Sequence, residues 1–437
     1  MRSFTITTLG CKVNRYESEA IAEQLVNQGW RMADERATAD LCIINTCTVT
    51  QKAAMQCRQA ARRAIRDNPG ALTVVTGCYA QISPETFSAI ENVHYVIGNA
   101  RKDRIVDLVA GITKRGPVRT MIEDVSTPCP FQDMPLTKFG NRTRPFLKIQ
   151  DGCDAFCSYC IIPYARGRSR SLSPEVIKKR VTDLKQNGYE EAVLCGINLG
   201  CYGKDLDPPT SLRDLVQAID APTGMTRLRL SSIEPRELSD DFIKLLAASD
   251  HVCSHLHIPL QSGDDNVLKA MNRPYASAYY RDLIHHIVDL IPDVAIGADV
   301  LVGFPGETQG AFEKTCNLIE KLPVAYLHVF PFSKMAQTVA ATLSDTVPPE
   351  VIKKRCEHVR AIGQVKRAAF YQKAVGSTCE ALIEGKRDRG TRRLKGLTRN
   401  YIPVLVEGGN EWKNRLAQVR ITEAADGRAA AEFLSTP

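Results

Sequence analysis

The 437-residue sequence lacks long hydrophobic runs and an export signal. No stretch approaches the roughly 18 uninterrupted apolar residues that a membrane-spanning helix requires. The first residues, MRSFTITTLGCK, have one Arg near the start and the pattern of a strand rather than the apolar segment of a signal peptide. We therefore expect a cytoplasmic protein with no membrane partner.

The sequence also lacks a large excess of charge of one sign, and its number of cysteines is odd. Its net charge of +8 permits an anionic partner without requiring one. Its 15 cysteines, in a chain without an export signal, argue against a disulfide framework and for thiols used in metal binding or catalysis. With 44% hydrophobic and 24% charged residues, the composition is that of a soluble globular protein, and the length suggests two to four domains.

The first 118 residues have the pattern of a parallel α/β domain. Short buried strands are predicted in SFTITTLGC, DLCIINTC and LTVVTGCY, and helical patterns at 17–28 and 51–67 lie between them. Strands and helices in alternation predict a parallel sheet with crossover helices. Residues 119–142, which contain prolines and show no periodicity, are predicted to be a linker.

Residues 143–370 predict an open or partial (β/α)6 barrel. The strand candidates are FLKIQDGC, EAVLCGIN, TRLRLSSIEP, SHLHIPLQSG, AIGADVLVGFPGE and AYLHVFPFS. In barrels of this type the chemistry lies at the carboxyl ends of the strands. Residues 371–437 instead predict a small all-β barrel, with strands in STCEALIEGK, NYIPVLVEG and LAQVRITEAAD.

A basic loop is predicted between the first two strands of the small barrel. The segment KRDRGTRRLKGLTR contains seven basic residues against Asp388. Such a run is often only a solvated loop, but its position on a β-barrel beside Tyr401 favours contact with RNA phosphates. The candidate RNA-binding residues are Lys386, Arg387, Arg389, Arg392, Arg393, Lys395 and Arg399.

Three cysteines follow the first barrel strand, in GCDAFCSYC. Cys153, Cys157 and Cys160 can hold three irons of a [4Fe–4S] cluster and leave the fourth iron open. An open iron can bind the amino and carboxylate groups of S-adenosylmethionine, whose sulfonium bond is cleaved by an electron from the cluster. Zinc is the alternative, but zinc takes four ligands, and no fourth Cys or His is near this loop in the sequence.

Three more cysteines each end a predicted strand. Cys11, Cys47 and Cys78 close TTLGC, IINTC and VVTGC, and parallel strands end at one edge of a sheet, so the thiols should converge. This predicts a second cluster with one open iron. The alternative is three small buried apolar residues, which does not explain why cysteine ends all three strands. The remaining nine cysteines are interpreted as core residues or as thiols without partner spacing.

Polar and glycine residues end the barrel strands and form a candidate cofactor site. Glycine permits close approach to a ligand, although turn chemistry alone also favours it there. Three arginines follow the cysteine loop, at positions 166, 168 and 170, and they either bind phosphate or are solvated. The histidines at positions 255 and 257 are interpreted as interior residues. The candidate cofactor-binding residues are Gly196, Asn198, Ser232, Glu234, Gln261, Gly303 and Glu307.

These motifs resemble those of the radical S-adenosylmethionine methylthiotransferase family over nearly the whole chain. LGCKVNRYESEA, INTCTVT and TGCYAQ are similar to the cysteine signatures of its N-terminal domain, GCDAFCSYCIIPYARGR to its radical motif, and the last segment to its RNA-binding TRAM domain. The resemblance implies two [4Fe–4S] clusters, one for cleavage of S-adenosylmethionine and an auxiliary one that carries sulfur. It implies S-adenosylmethionine as radical source and methyl donor, tRNA as substrate, and external electron and sulfur donors.

Within the family, LGCKVN and CIIPYARGR are most similar to the branch that methylthiolates C2 of N6-threonylcarbamoyladenosine at tRNA position 37. The isopentenyladenosine branch usually has GCQMN at the first signature, and the ribosomal-protein branch has GCPKN. Outside enzymes, the alternative is a non-catalytic iron–sulfur protein that binds RNA, which the six placed cysteines disfavour. Gln337 stands where the family usually has glycine, so the conformation of that loop is in question.

Overall fold

A computed structural model describes residues 2–34, 38–110, 117–127, 129–137, 139–140, 142–220, 223–425 and 427–434. The chain divides into two compact units. Unit 1 comprises Met1–Gly140, Lys148–Leu172 and Ser333–Ala341, and unit 2 comprises Asn141–Leu147, Ser173–Phe332 and Thr342–Pro437. Within the described ranges, none of the helices has both the length and the apolar character needed to cross a membrane.

The strands are numbered along the chain. They are β1 Ser3–Thr8, β2 Arg31–Met32, β3 Leu41–Thr46, β4 Leu72–Gly77, β5 Tyr95–Ile97, β6 Arg119–Met121, β7 Phe146–Lys148, β8 Gln150–Asp151, β9 Arg170–Ser171, β10 Glu191–Cys195, β11 Arg227–Leu230, β12 His255–His257, β13 Ala295–Val302, β14 Tyr326–Pro331, β15 Thr378–Arg387, β16 Leu394–Thr398, β17 Pro403–Val406, β18 Leu416–Ala425 and β19 Arg428–Phe433.

The α-helices are numbered in the same way. They are α1 Lys12–Asn27, α2 Gln51–Asp67, α3 Cys78–Ile82, α4 Pro84–Ser88, α5 Ile105–Ala110, α6 Ile162–Arg166, α7 Pro174–Gln186, α8 Leu212–Ile219, α9 Asp240–Ala248, α10 Asp265–Ala270, α11 Ser277–Leu290, α12 Gln309–Lys321 and α13 Pro349–Lys373. Short 3-10 helices occur at Asn99–Arg104, Leu199–Cys201, Pro235–Glu237, Val339–Thr342 and Asn410–Trp412.

Unit 1 is built on a parallel sheet of order β2-β1-β3-β4-β5-β6, which confirms the predicted N-terminal fold. Every residue of β3 and β4 is buried, because helices cover both faces of a parallel sheet. Helix α2 has the predicted bounds, and Thr50 caps it by accepting a hydrogen bond from the backbone N of Ala53 at 3.1 Å. Helix α1 begins at Lys12, five residues before the predicted start.

The segment predicted to be a linker contains β6, which pairs parallel with β5 at the edge of this sheet. Its backbone bonds include Gly98 N to Met121 O at 2.9 Å. Arg119 and Thr120 are exposed, so the strand lacks the alternating apolar pattern by which a strand is recognised in a sequence.

Unit 2 contains two parallel sheets, of order β11-β10-β7 and β12-β13-β14. An isolated bridge from Leu228 of β11 to Val252, which precedes β12, links them. All six predicted strands are present, and the open arrangement confirms the predicted partial barrel. Strands β15–β19 form a closed barrel of order β15-β16-β17-β19-β18, as predicted. Trp412 stacks on Phe433 in its core, with ring centroids 4.4 Å apart.

One element of the small barrel was wrongly predicted. The basic segment between the first two predicted strands is not one loop, because Leu394–Thr398 forms β16 and pairs antiparallel with β15 and β17. Leu394 and Leu397 of this strand are buried, and the intervening Lys395 is half-buried. The high charge of the segment conceals this alternation in the sequence.

Candidate functional site

The cysteines that end three strands converge at one edge of the unit 1 sheet. Cys11 caps α1 after β1, Cys47 follows β3, and Cys78 begins α3 after β4. Since β1, β3 and β4 are adjacent, their carboxyl ends lie side by side. Gly10 has φ +101°, and a Cβ there would lie 2.8 Å from Cys47 Sγ, so only glycine lets the chain pass this close.

Burial controls the chemistry of these thiols. It raises the pKa of Cys47 to about 12, and the neighbouring Cys78 and Cys11 thiols act in the same direction. Such a thiol ionises only when a cation compensates its charge, and iron supplies this in a cluster. The buried Cys57 thiol accepts from Cys47 N at 3.2 Å and donates to Cys47 O at 3.3 Å, so it supports the Cys47 backbone.

Two buried polar groups near these cysteines fit an additional ligand. The Thr48 hydroxyl, one residue after Cys47, has no hydrogen-bond partner among the residues that the structure describes. The amide nitrogen of Asn99 lies 3.7 Å from Cys78 Sγ, and its buried Oδ1 also has no partner in that set. Buried polar groups are normally satisfied, so these atoms favour an occupant such as a cluster with its sulfur atoms.

The loop with Cys153, Cys157 and Cys160 also belongs to unit 1. Cys153 N donates to Gly167 O at 3.0 Å, and Cys160 N donates to Cys157 O at 2.9 Å. Gly152 has φ +71°, and a Cβ there would lie 1.9 Å from Arg168 O. Phe156 holds φ +43°, a conformation that non-glycine residues keep only where the surroundings enforce it.

The spacing of the sulfur atoms does not fit a single metal ion. In a tetrahedral zinc site the Zn–S distance is about 2.3 Å, so no two sulfurs are more than about 4.6 Å apart. Among the described residues, one group of three has all its ligand atoms within 4.8 Å, and it is His257, Asp299 and His328, not a cysteine triad. The cysteines of the two triads are therefore not arranged here as the ligands of one zinc ion.

Arg166 links the two cysteine groups within unit 1. It ends the helix that follows the cysteine loop, is 1% exposed, and its Nε donates to Cys78 Sγ at 3.3 Å. Its guanidinium also donates to Asp151 Oδ1 at 2.8 Å and to Asn14 Oδ1 at 2.6 Å. The sequence left two alternatives for Arg166, contact with phosphate and exposure to solvent. Both are wrong, because the side chain is buried against a cysteine and carboxylates.

Two buried carboxylates balance the charge of this arginine. Glu17 accepts from Arg166 at 3.0 Å, from Lys102 at 2.6 Å and from Lys148 at 3.1 Å. Burial opposes the ionisation of Glu17 and Asp151, but the surrounding cations outweigh it and hold both pKa values well below the usual range. Both carboxylates are therefore charged at neutral pH. The sequence analysis missed this network, although Asn14 and Glu17 lie within the first cysteine signature.

The other two arginines of this segment differ in exposure. Arg170 is buried and donates to Asp151 at 3.3 Å, whereas the side chain of Arg168 is 55% exposed and pairs with Asp154 at 2.6 Å. Gln337, which stands at the usual glycine position, is not among the residues with positive φ, so its side chain causes no strain of that kind.

The candidate cofactor residues lie in unit 2, after the carboxyl ends of β10 to β13. Asn198 is buried and Ser232 is exposed. The buried Ser231 hydroxyl, at the end of β11, has no partner among the described residues, which leaves a donor for a ligand. Gln261 adopts φ +65° and donates its backbone N to Asp299 O at 2.8 Å.

The two carboxylates among the candidate cofactor-binding residues, Glu234 and Glu307, already have partners within the protein. Glu307 accepts from Arg355 at 2.6 Å and from Gly303 N at 3.1 Å, which fixes the turn after β13. Glu234 forms an ion pair with Arg273. Burial nevertheless raises the pKa of both carboxyls. Gly196, the remaining candidate, follows β10 directly.

The candidate RNA-binding residues divide into two groups. Arg393 pairs with Glu407 at 2.8 Å, Lys395 lies 3.5 Å from Glu384, and Arg399 donates to Val252 O at 2.9 Å. Arg387 donates to Asn410 and to backbone carbonyls. The side chains of the other three are exposed and make no ion pair within the described residues, and these are Lys386, Arg389 and Arg392.

The chain matches two known families. Residues 3–98 match a family described as "Uncharacterized protein family UPF0004", and residues 147–319 match the radical SAM superfamily. Among solved structures, the radical S-adenosylmethionine methyltransferase TsrM of Kitasatospora setae, bound to cobalamin and a [4Fe–4S] cluster, superposes with a TM-score of 0.56 at 15% identity. The match covers 78% of this chain and 77% of that one, and it shows a shared fold.

Relatives of known name cover almost the entire chain. The threonylcarbamoyladenosine tRNA methylthiotransferase MtaB of Bacillus subtilis is 36% identical over 97% of this chain and 94% of its own length. MtaB of Aquifex aeolicus is 34% identical over 92% of this chain and 96% of its own length. A tRNA-2-methylthio-N(6)-dimethylallyladenosine synthase of Desulfitobacterium hafniense is 32% identical over 95% of this chain and 94% of its own length. With these relatives and a radical SAM domain, the chain is a member of the radical S-adenosylmethionine methylthiotransferase family of enzymes.

Proposed function

We propose that this enzyme methylthiolates C2 of N6-threonylcarbamoyladenosine at position 37 of tRNA, with sulfur delivered through an auxiliary [4Fe–4S] cluster. The relatives named for this nucleoside are 34–36% identical to the chain, and the first cysteine signature is similar to that branch. An aromatic C–H bond has no useful acidity, so the reaction needs a radical cofactor rather than acid–base catalysis by side chains.

Each cysteine group has its own role in this proposal. Cys153, Cys157 and Cys160 would hold the cluster that binds S-adenosylmethionine, and Cys11, Cys47 and Cys78 would hold the auxiliary cluster. When bound, these groups supply a reductively cleaved sulfonium bond, a methyl donor and a sulfur for transfer. The residues after β10 to β13 would bind S-adenosylmethionine, with Ser231 and Asn198 as its buried polar contacts.

The observation that carries the proposal is the hydrogen bond from Arg166 Nε to Cys78 Sγ, at 3.3 Å. Arg166 lies within the radical motif, after its three cysteines, and Cys78 lies in the third signature of the N-terminal domain. Transfer of sulfur by radical chemistry requires both cysteine groups to serve one reaction. A buried contact between their motifs within one compact unit supports this division of roles.

The tRNA would use the exposed cations of the small barrel. Lys386, Arg389 and Arg392 are available for phosphate because no internal carboxylate neutralises them among the described residues. Contacts of this kind position RNA without reading its sequence. The target adenosine must leave its stack to react, which an anticodon-loop base can do at low cost. An external electron donor and a sulfur donor complete the reaction.

The test is an anaerobic assay with the reconstituted protein, S-adenosylmethionine, a reductant, sulfide and tRNA that carries threonylcarbamoyladenosine but no methylthio groups. Mass spectrometry of the nucleosides and chromatography of 5′-deoxyadenosine give two independent readouts. The expected product is 2-methylthio-N6-threonylcarbamoyladenosine. A methylthio product on an isopentenyl-type adenosine instead would assign the enzyme to the other tRNA branch.

Single cysteine variants separate the two roles. Cys157→Ala should abolish both 5′-deoxyadenosine and the methylthio product, whereas Cys78→Ala should abolish only the methylthio product. Cys42→Ala is the matched control, because this cysteine is buried on β3 of the same sheet but has no proposed iron. Equal methylthiolation by Cys78→Ala and the wild type would refute the auxiliary cluster. Formation of 5′-deoxyadenosine without any changed nucleoside would refute the tRNA substrate.

A further inference from the structure

Three metal-ligating side chains meet in unit 2, away from the cysteines. His257, Asp299 and His328 come one each from β12, β13 and β14, and their ligand atoms all lie within 4.8 Å of one another. Asp299 pairs directly with His328 in the strand register, and His257 pairs with Gly297. Because residues two apart share one face of a strand, the three side chains lie on the same face of the sheet.

The two imidazoles approach one carboxylate oxygen. Asp299 Oδ1 lies 2.9 Å from His257 Nε2 and 3.4 Å from His328 Nδ1. A simple histidine–aspartate hydrogen bond needs only one of these rings. Two histidines and one carboxylate are a donor set for Zn²⁺ and for non-haem iron.

The outer contacts of His257 are those of a metal ligand. Its second ring nitrogen, Nδ1, lies 3.2 Å from Tyr326 Oη, and that hydroxyl lies 2.8 Å from His255 Nε2. With Nδ1–H donating to the tyrosine, a bound ion would take the place of the Nε2 proton that otherwise bridges to Asp299. Ligating histidines usually donate their other N–H in this way, which fixes the tautomer and the ring orientation.

The group is sheltered on one side and open on the other. The side chains of His257 and Asp299 are 8% and 20% exposed, and that of His328 is 55% exposed. Tyr326 and His328 also line a cavity of about 380 Å³ within unit 2. Because the His328 ring is exposed, an ion can reach His257 and Asp299 from solvent.

We infer that His257, Asp299 and His328 form a mononuclear site for a divalent first-row transition-metal ion. Three protein ligands leave coordination positions for water or for an oxygen of a ligand, as in the open sites of metalloenzymes. From the sequence alone His257 is interpreted as an interior residue, because its two partners are far away in the chain. Uptake of an ion can be measured without tRNA and without S-adenosylmethionine, so a failure of this inference and a failure of the proposed methylthio transfer are distinguishable.

A Mn²⁺ titration of the reconstituted full-length protein without RNA tests the site, because the EPR signal of aqueous Mn²⁺ disappears on binding. Mn²⁺ suits carboxylate ligands and is a poor ion for thiolates, so the cysteines compete little. We expect saturable uptake of one ion per chain. Asp299→Asn should abolish it, and Tyr326→Phe, which removes only the hydroxyl, should weaken it by about 10–100-fold.

His286→Ala is the matched control. This histidine lies 2.7 Å from Asp240 but lacks a third ligand within the described residues, so its replacement should leave uptake unchanged. His328→Ala provides a variant at a half-exposed position that should fold normally and lose affinity. Unchanged circular dichroism and cluster iron verify the fold of each variant. Equal uptake by wild type and Asp299→Asn, or no saturable uptake by wild type, overturns the inference.

Discussion

Arg166 Nε lies 3.3 Å from Cys78 Sγ and donates a hydrogen bond to it, although 88 residues separate the two in the chain. A hydrogen bond to a ligating sulfur stabilises the more negative, reduced state of an iron–sulfur cluster and so raises its potential. Arg166 thereby connects the radical motif to the site proposed for sulfur transfer.

Arg166→Lys should lower the midpoint potential of the auxiliary cluster. Lysine keeps the positive charge beside Glu17 and Asp151 but has no donor at the Nε position. Loss of a charge-assisted hydrogen bond worth about 1.4 kcal/mol corresponds to about 60 mV for a one-electron couple. The measurement is an EPR-monitored redox titration in a background in which Cys153, Cys157 and Cys160 are alanine, so that only the auxiliary cluster contributes.

Arg168→Lys is the control for this shift, because Arg168 lies two residues away, pairs with Asp154 and is half-exposed. The midpoint potential of the auxiliary cluster in Arg168→Lys should equal that in the protein with both arginines unchanged. The same potential for Arg166→Lys and Arg168→Lys would show that the hydrogen bond does not tune the cluster.

The strands and the cysteine groups were predictable because their signals are local. Strands β3 and β4 are continuous apolar runs, and the rule that parallel strands end together leads from the sequence to the convergence of Cys47 and Cys78. The glycine before Cys11 was visible as well, but its close approach to Cys47 depends on the packed sheet.

The buried charges were not predictable, because each needs partners from distant segments. Glu17, Asp151 and Arg166 come from three different parts of the chain, and a buried ion cannot be told from a solvated one by its neighbours in sequence. Strands β6 and β16 were missed for a related reason. Their exposed positions carry polar or basic residues, and backbone pairing rather than hydrophobic alternation defines them.

Gly152→Ala should remove the radical cluster. The residue has φ +71°, and an added Cβ would lie 1.9 Å from Arg168 O, so the backbone that positions Cys153 must move. Iron after reconstitution should fall from about eight to about four per chain, one cube of the two. Quantification of iron and sulfide, with loss of 5′-deoxyadenosine formation, checks this.

Gly188→Ala isolates the effect of the clash from that of backbone strain. Gly188 has a similar φ of +84°, but an added Cβ would meet no atom within 4 Å. This variant should lose about 1–2 kcal/mol of stability from the left-handed conformation alone and keep its iron. A Gly152→Ala protein with full iron content and activity would show that the loop tolerates displacement.

The double variant Lys386→Ala/Arg389→Ala should bind tRNA more weakly, and its affinity should depend less steeply on the salt concentration. Both side chains are exposed and have no internal ion pair within the described residues. The slope of log K against log salt should decrease by about 0.7–0.9 for each phosphate contact that is lost. Filter binding over a salt series measures it. Lys353→Ala/Lys354→Ala removes the same charge from exposed positions of α13, and an equal change there would mean that the basic segment has no specific role.

Glu191→Gln should destabilise unit 2 through the buried Arg229. Glu191 is fully buried on β10 and accepts from Arg229 at 2.7 and 3.2 Å, while the same guanidinium donates to the carbonyls of Thr398 and Arg399 in the small barrel. Removal of one partner of a buried ion pair leaves an uncompensated charge, which costs about 3–5 kcal/mol. The exposed pair of Glu407 and Arg393 supplies the control, because Glu407→Gln should change stability little.

The pH dependence of this variant gives a second readout. Burial opposes the ionisation of Glu191, but Arg229 outweighs it and lowers the pKa of the carboxyl. A carboxyl with a lowered folded-state pKa contributes stability above its unfolded pKa of about 4.3 and loses it as the pH falls toward the folded value. In urea unfolding of the cluster-free chain, the difference between wild type and Glu191→Gln should therefore be full at pH 7 and shrink in acid. A difference that is constant with pH would mean that packing, rather than the charge of Glu191, holds Arg229 in place.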